Sequence, residues 1–133
     1  MTPEQRSENM RAVGQKNTKP EIEVRRMLHR MGYRFRLHRK DLPGSPDVFL
    51  PRYRTAVFVH GCFWHGHEGC ARSKLPSTRT EFWKAKQETN RQRDQRNKAQ
   101  LEARGIQVMV VWECELRDKA SLELKLRGIR RDE

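Results

Sequence analysis

The chain has no long apolar run. Of its 133 residues only 35% are hydrophobic, and no stretch approaches the roughly 20 apolar residues that a membrane-crossing helix needs. The first residues, Met1-Thr2-Pro3-Glu4-Gln5-Arg6-Ser7-Glu8, lack the apolar segment of a secretory signal. A cytoplasmic protein, associated with the nucleoid, is therefore expected, with no membrane partner. Cysteine is also scarce. Three cysteines are an odd number and too few for a disulfide framework, so any chemistry they carry is metal binding or reactivity. Acidic residues are outnumbered, 17 Asp+Glu against 29 Lys+Arg, for a net charge of +12. That imbalance points to a polyanionic partner, nucleic acid above all. There is no internal repeat and no Gly/Pro-rich linker. The length suits one domain, which at this size buries roughly two-thirds of its unfolded surface.

Against this sparse background the stretch Val57-Phe-Val-His-Gly-Cys-Phe-Trp-His-Gly-His-Glu-Gly-Cys70 stands out. A buried-strand pattern at 56–59 is stopped by Gly61, and three of the five histidines and two of the three cysteines fall between His60 and Cys70. The flanking pattern is legible. Residues 3–15 are polar, with Met10 and Val13 at helical spacing, and read as an N-terminal arm (1–17). Thr18-Lys-Pro-Glu21 opens a helix as a capping box, with Ile22, Val24, Met27, Leu28 and Met31 on one face and Gly32 as its stop. Tyr33, Phe35 and Leu37 alternate with Arg34, Arg36 and His38, which predicts a half-buried strand. After the turn Leu42–Asp47 come strands at 48–50 and 56–59. A second capping box, Thr78 to Glu81, predicts a long, mostly polar helix to about Arg104. A strand over Ile106–Trp112 and a helix over 119–127 complete the chain. Helix, three strands, long helix, strand, helix implies an α/β fold: a mixed sheet with helices on its faces, in one domain over 18–133.

Cys62, His67 and Cys70 lie close together, and Cys114 closes a distant strand. Three thiolates and an imidazole are a known donor set for structural Zn2+, and they suit zinc better than magnesium. His65 also stands near Cys70, so spacing alone leaves the choice between His65 and His67 open. The competing reading keeps Cys114 as a small buried apolar residue with Cys62 and Cys70 free.

Asp47 opens one strand and His60 ends the next, so the two can meet. A carboxylate there can hold Mg2+, which binds phosphate and lowers the pKa of an attacking water. His60 and His65 suit acid and base roles because imidazole titrates near neutrality. Taken singly, each has a bland explanation. Asp47 can start a turn, Glu21 can close a capping box, and Asp94 can pair with Arg93 or Lys98 on a solvated helix.

The motifs Arg6-Ser-Glu-Asn-Met-Arg-Ala12, Thr18-x-x-Glu21, Leu42-Pro-Gly-x-Pro-Asp47, Val57-Phe-x-His-Gly-Cys-Phe-Trp-His65, Pro76-x-Thr-Arg-Thr-Glu-Phe-Trp83, Arg93-Asp94 and Val111-Trp-Glu-Cys114 together resemble the very-short-patch repair (Vsr) DNA mismatch endonucleases, from about Arg6 to Leu116. The resemblance implies a restriction-endonuclease-like core and Mg2+-dependent nicking of one strand 5′ to the thymine of a T·G mispair, the product of 5-methylcytosine deamination. It implies that Asp47 holds Mg2+, that His65 activates water, that His60 supports the phosphate or its hydration, and that Glu21 and Asp94 are supporting carboxylates. It assigns structural Zn2+ to Cys62, His67, Cys70 and Cys114. Phe63 and Trp64 match an aromatic wedge inserted beside the mispair, where stacking replaces lost base stacking; packing alone would put one of the two in the core. Met10 and Arg11 match an arm on the DNA, and Lys86 and Asn90, one turn apart on the long helix, are expected DNA contacts. The loop before Cys70 is one residue longer than the family pattern, Val59 stands where threonine is familiar, and the (Asp/Glu)-x-Lys nuclease signature is absent, with His60 in its place. The expected partner is duplex DNA with a T·G mismatch, bound by a monomer, with other repair proteins as further partners. A zinc-stapled DNA-binding module without catalysis and a broader structure-specific nuclease of the same fold are the alternatives.

Overall fold

The structure, a computed structural model, describes residues 18–129. The expected arm over 1–17, with Met10 and Arg11, lies outside the described residues, as does the tail beyond 129.

Helix α1 (Lys19–Arg30) starts at Thr18, whose hydroxyl accepts the Glu21 N–H at 3.4 Å, with Pro20 in the first turn. Val24, Met27 and Leu28 are its buried stripe. Strands β1 (Arg36–Leu37), β2 (Val48–Leu50), β3 (Thr55–His60) and β4 (Gln107–Trp112) follow, with the long helix α2 (Thr80–Ala103) between β3 and β4 and helix α3 (Lys119–Arg127) last. The sheet order is β1-β2-β3-β4, antiparallel at the first two junctions and parallel between β3 and β4. The parallel junction needs a long crossover, and the histidine-rich loop with α2 supplies it.

Strand alternation sorts the side chains onto two faces. Val48, Leu50, Val57 and Val111 pack with α1 and with Leu122, Leu126 and Ile129 from α3 and the turn after it. Phe49 and Ala56 face the other way, against Leu101 of α2 and Ile106. The expected mixed sheet with helices on its faces is thus present. Helix α2 buries only Gln87 and Leu101 along its 24 residues, as its polar sequence requires.

Two local expectations fail. The strand over 33–38 shrinks to Arg36–Leu37, because Tyr33 turns inward and its hydroxyl donates to the Leu126 carbonyl at 2.7 Å, while His38 adopts a left-handed φ of 49°. The Thr78–Glu81 capping box does not form. Helix α2 begins at Thr80 after a left-handed Arg79; the Thr80 hydroxyl donates to the Pro76 carbonyl at 2.7 Å, and the Arg79 guanidinium stacks 4.3 Å from the Phe82 ring centre. The first box is half formed, since the Glu21 carboxylate is drawn to Arg25.

Candidate active site and metal centre

His60 and Trp112 are paired at the C-terminal ends of the parallel strands β3 and β4, the end of an α/β sheet where sites are usually built. Both point to the α2 side, and His60 is 6% exposed. The loop that follows is wound by its own backbone: His65 N–H donates to the Gly61 carbonyl at 3.2 Å and His67 N–H to the Cys62 carbonyl at 2.9 Å. Gly66 has a φ of 59°, and a Cβ there would sit 2.7 Å from Arg91 Nε. That close approach lets Arg91 Nε donate to the Gly66 carbonyl at 3.0 Å and ties the loop to α2. Gln87 and Asn90, also on α2, donate to the Phe63 and Trp64 carbonyls, both at 2.7 Å.

The wound loop delivers His65 to Asp94, with Nδ1 2.6 Å from Oδ2. A carboxylate can only accept, so Nδ1 carries a proton and donates to Asp94, which leaves Nε2 as the ring nitrogen open to other groups. The His60 and His65 rings are stacked, 3.8 Å apart and 2° from parallel. Burial, reinforced by the charge of His65, pushes the His60 pKa down to about 3, so His60 is neutral at neutral pH. Its Nδ1 is buried with no hydrogen-bond partner among the described residues and lies 3.9 Å from Asp94 Oδ2. These groups border a groove of about 440 Å³ between sheet and helix, floored by Phe58, Val108 and Val110 and edged by Arg91 and Lys98.

Asp47 lies at the same end of the sheet. Its Oδ2 accepts the Val59 N–H at 2.7 Å, so position 59 contributes its backbone while its side chain joins the core. Burial, with a contribution from the charge of Glu21, pushes the Asp47 pKa up to about 6. Donor atoms of Glu21, His38 and Asp47 lie within 4.8 Å of one another, as do those of His60, His65 and Asp94. Asp47 therefore stands beside the histidine pair but groups with Glu21 and His38. Two carboxylates, one of them disfavoured as an anion by burial, fit a hard dication.

Cys62, His67, Cys70 and Cys114 also bring one donor atom each within 4.8 Å, and Cys114 Sγ is 3.5 Å from His67 Nδ1. The three cysteines are free thiols. Burial, with the other two thiols adding, pushes the Cys62 thiol up to about 12, a penalty on the thiolate that a bound soft cation would offset. The donor set therefore fits zinc. His67 stacks on Trp112 at 4.0 Å. Of the two histidines left open by spacing, His67 turns to the thiols and His65 to Asp94.

Phe63 and Trp64 are half-buried and meet each other and Trp83 edge to face, with centroids 5.5–5.7 Å apart. Lys86 is exposed, 6.0 Å from the Phe82 ring. Sequence reasoning missed His38, Trp83, Gln87 and Arg91. His38 had one usable signal. Around the Leu42–Pro46 turn, pairing Leu37 with Val48 sets His38 opposite Asp47, and His38 N–H donates to the Asp47 carbonyl at 3.3 Å.

Comparison with known proteins gives the fold and the family. The solved catalytic domain of the homing endonuclease I-Bth0305I superposes with a TM-score of 0.59 at 19% identity, over 85% of this chain and 94% of that domain, which establishes a shared fold. The type II nicking enzyme V.XorIIP of Xanthomonas oryzae pv. oryzae is 56% identical over 97% of this chain and 94% of its own length. The type II nicking enzyme V.NmeAIP of Neisseria meningitidis is 43% identical over 98% of this chain and 93% of its own length. The DNA mismatch endonuclease Vsr of Escherichia coli is 44% identical over 88% of this chain and 74% of its own length. The family model for DNA mismatch endonuclease Vsr matches residues 1–72, and with these relatives the chain belongs to the Vsr family of endonucleases.

Proposed function

We propose that this chain nicks one strand of duplex DNA 5′ to the thymine of a T·G mispair, with Mg2+ at Asp47 and structural Zn2+ on Cys62, His67, Cys70 and Cys114, acting as a monomer in the cytoplasm on nucleoid DNA. The observation that carries the reading is the His65–Asp94 pair at 2.6 Å set beside the half-buried carboxylate of Asp47. The name of the E. coli relative, a mismatch endonuclease, supports the mispair as substrate, and the names of the nicking relatives support a single-strand cut.

The roles follow from the groups themselves. Asp94 holds His65 Nδ1–H, which aims the Nε2 lone pair outward and stabilises the imidazolium formed when His65 takes a proton from water. His60, kept neutral by burial, supports the ring of His65 by stacking without adding a second positive charge. Mg2+, when bound, would neutralise phosphoryl oxygens and acidify the attacking water. Glu21 helps hold the cation, and the net charge of +12 holds the phosphate backbone. Phe63 and Trp64, propped on Trp83 and fixed through their carbonyls by Gln87 and Asn90, form a wedge that enters a base step, where a mispair opens at lower cost. The zinc set holds wedge and base in register.

The test is incubation of the purified, zinc-loaded protein with Mg2+ and end-labelled duplexes, matched or bearing T·G within randomised flanks. Nicking 5′ to the thymine is expected, lost in Asp47→Ala with DNA binding kept. Equal cutting of matched duplexes would replace the reading with a broader nuclease. Tight mismatch binding without any cutting would leave only the binding module.

A further inference from the structure

We propose that His38 is a direct ligand of the catalytic cation, alongside Glu21 and Asp47, and that its imidazole shifts the preference of the site from Mg2+ toward Mn2+. The inference rests on the reading of Asp47 as a cation site and extends it to a residue and a metal preference.

Donor atoms of the three side chains lie within 4.8 Å of one another. His38 Nε2 and Glu21 Oε1 are 3.1 Å apart, and neighbouring ligands on an octahedral shell with bonds of about 2.1 Å lie about 3 Å apart. A positive group already bridges the two atoms: Arg25 Nη2 is 2.7 Å from Glu21 Oε1 and 3.2 Å from His38 Nε2. Nε2 thus stands between a guanidinium that only donates and a carboxylate that only accepts; in the tautomer protonated at Nδ1, the one a metal ligand needs, it accepts from Arg25. In that tautomer two lone pairs 3.1 Å apart face the Arg25 guanidinium, and a metal ion held by them takes the place of its N–H.

The backbone is bent to produce this. His38 leaves the strand pattern with a φ of 49°, a left-handed conformation that a non-glycine residue rarely adopts. Its ring is thereby turned onto the Glu21 carboxylate of α1, and its N–H binds the Asp47 carbonyl. Imidazole nitrogen is a softer donor than carboxylate oxygen. Mg2+ favours an all-oxygen shell and sheds water reluctantly, whereas Mn2+ accepts nitrogen more readily.

The discriminating variant is His38→Gln, whose side-chain carbonyl still accepts from Arg25 but offers no nitrogen lone pair. The full chain, zinc-loaded and without DNA, is titrated with Mn2+ and followed by electron paramagnetic resonance, with Mg2+ as competitor. Nitrogen modulation of the Mn2+ signal is expected in the wild type and lost in His38→Gln. The Mn2+ dissociation constant should rise about tenfold in the variant and that of Mg2+ by less than about threefold. Absence of nitrogen modulation in the wild type overturns the proposal without recourse to a variant, and modulation that survives in His38→Gln overturns it too. Nicking of T·G duplexes is scored separately. Nicking without nitrogen coupling rejects His38 alone, whereas nitrogen coupling without nicking rejects the proposed reaction and leaves the ligand assignment standing.

Discussion

On one face of the sheet, Val48, Leu50, Val57 and Val111 meet the apolar stripes of α1 and α3 and are closed off from water. On the other, Phe49 and Ala56 meet little more than Leu101 and Ile106, and toward the strand ends the contact gives way to the groove that holds His60, His65 and Asp94. The same strands supply both faces, and residues one position apart go to opposite sides. The α1/α3 face gathers most of the apolar burial and should carry most of the stability. The α2 face is left open at one end, held by hydrogen bonds from Gln87, Asn90 and Arg91 to loop carbonyls. Asp47 stands at the seam. The charges acting on it come from Glu21 and Arg25 on one side and His65 on the other.

If the faces divide the work, changes on the α2 side should alter the reaction with little effect on stability. Asp94→Asn is the strongest case. Removing the charged partner at 2.6 Å should lower single-turnover nicking about 10²- to 10⁴-fold, with the denaturant midpoint and DNA affinity nearly unchanged. A wild-type rate would remove His65 from the proposed role. Leu28→Ala is the mirror experiment. This side chain is fully buried against the sheet, and its truncation should cost about 2–5 kcal/mol in urea unfolding while the folded fraction nicks at the normal rate. A rate loss comparable to that of Asp94→Asn would show that the faces are not separable.

The seam can be probed through pH. The Asp47 pKa is raised to about 6 in the fold, above its unfolded value near 3.9. Its contribution is therefore fully present below about pH 4 and lost as pH rises through about 6. At pH 8, without divalent cations, Asp47→Asn should be more stable than the wild type by up to about 3 kcal/mol. The gap should vanish by pH 4 and should shrink when Mn2+ is added, because the cation stabilises only the wild type. Equal stabilities at pH 8 would contradict the burial argument. The smallest expected effect is that of Gln87→Ala. It strands the Phe63 and Ser73 carbonyls that Gln87 Nε2 binds at 2.7 and 3.1 Å, at about 1–3 kcal/mol. Faster hydrogen exchange confined to the loop after β3 would report it; uniform acceleration across the sheet would show a global role instead.

Much of this architecture could be read before any coordinates. The apolar spacing of Val24, Met27 and Leu28, the apolar runs at 48–50, 56–59 and 106–112, and the polar length of α2 are local patterns, and local patterns follow from backbone geometry. A zinc set on Cys62, Cys70 and Cys114 was visible as a composition, with the choice between His65 and His67 left open by spacing. The helix start at Thr80 was not, since Arg79 and Pro76 make contacts that outweigh the Thr78 cap. Nor was the shortening of the first strand, which depends on Tyr33 reaching Leu126 across the core.

The sequence by itself determined which elements form, which way each strand alternates, and which donor types gather near residue 60. Only the tertiary structure decided how those donors are divided: His67 to the thiols, His65 to Asp94, and His38 to Glu21 beside Asp47. The reason is geometric. A donor's chemistry is set by its residue type, but its partner is set by strand register, by the rotation of α2 about its axis, and by a loop wound through its own hydrogen bonds. Those are fixed by contacts between residues far apart in the chain.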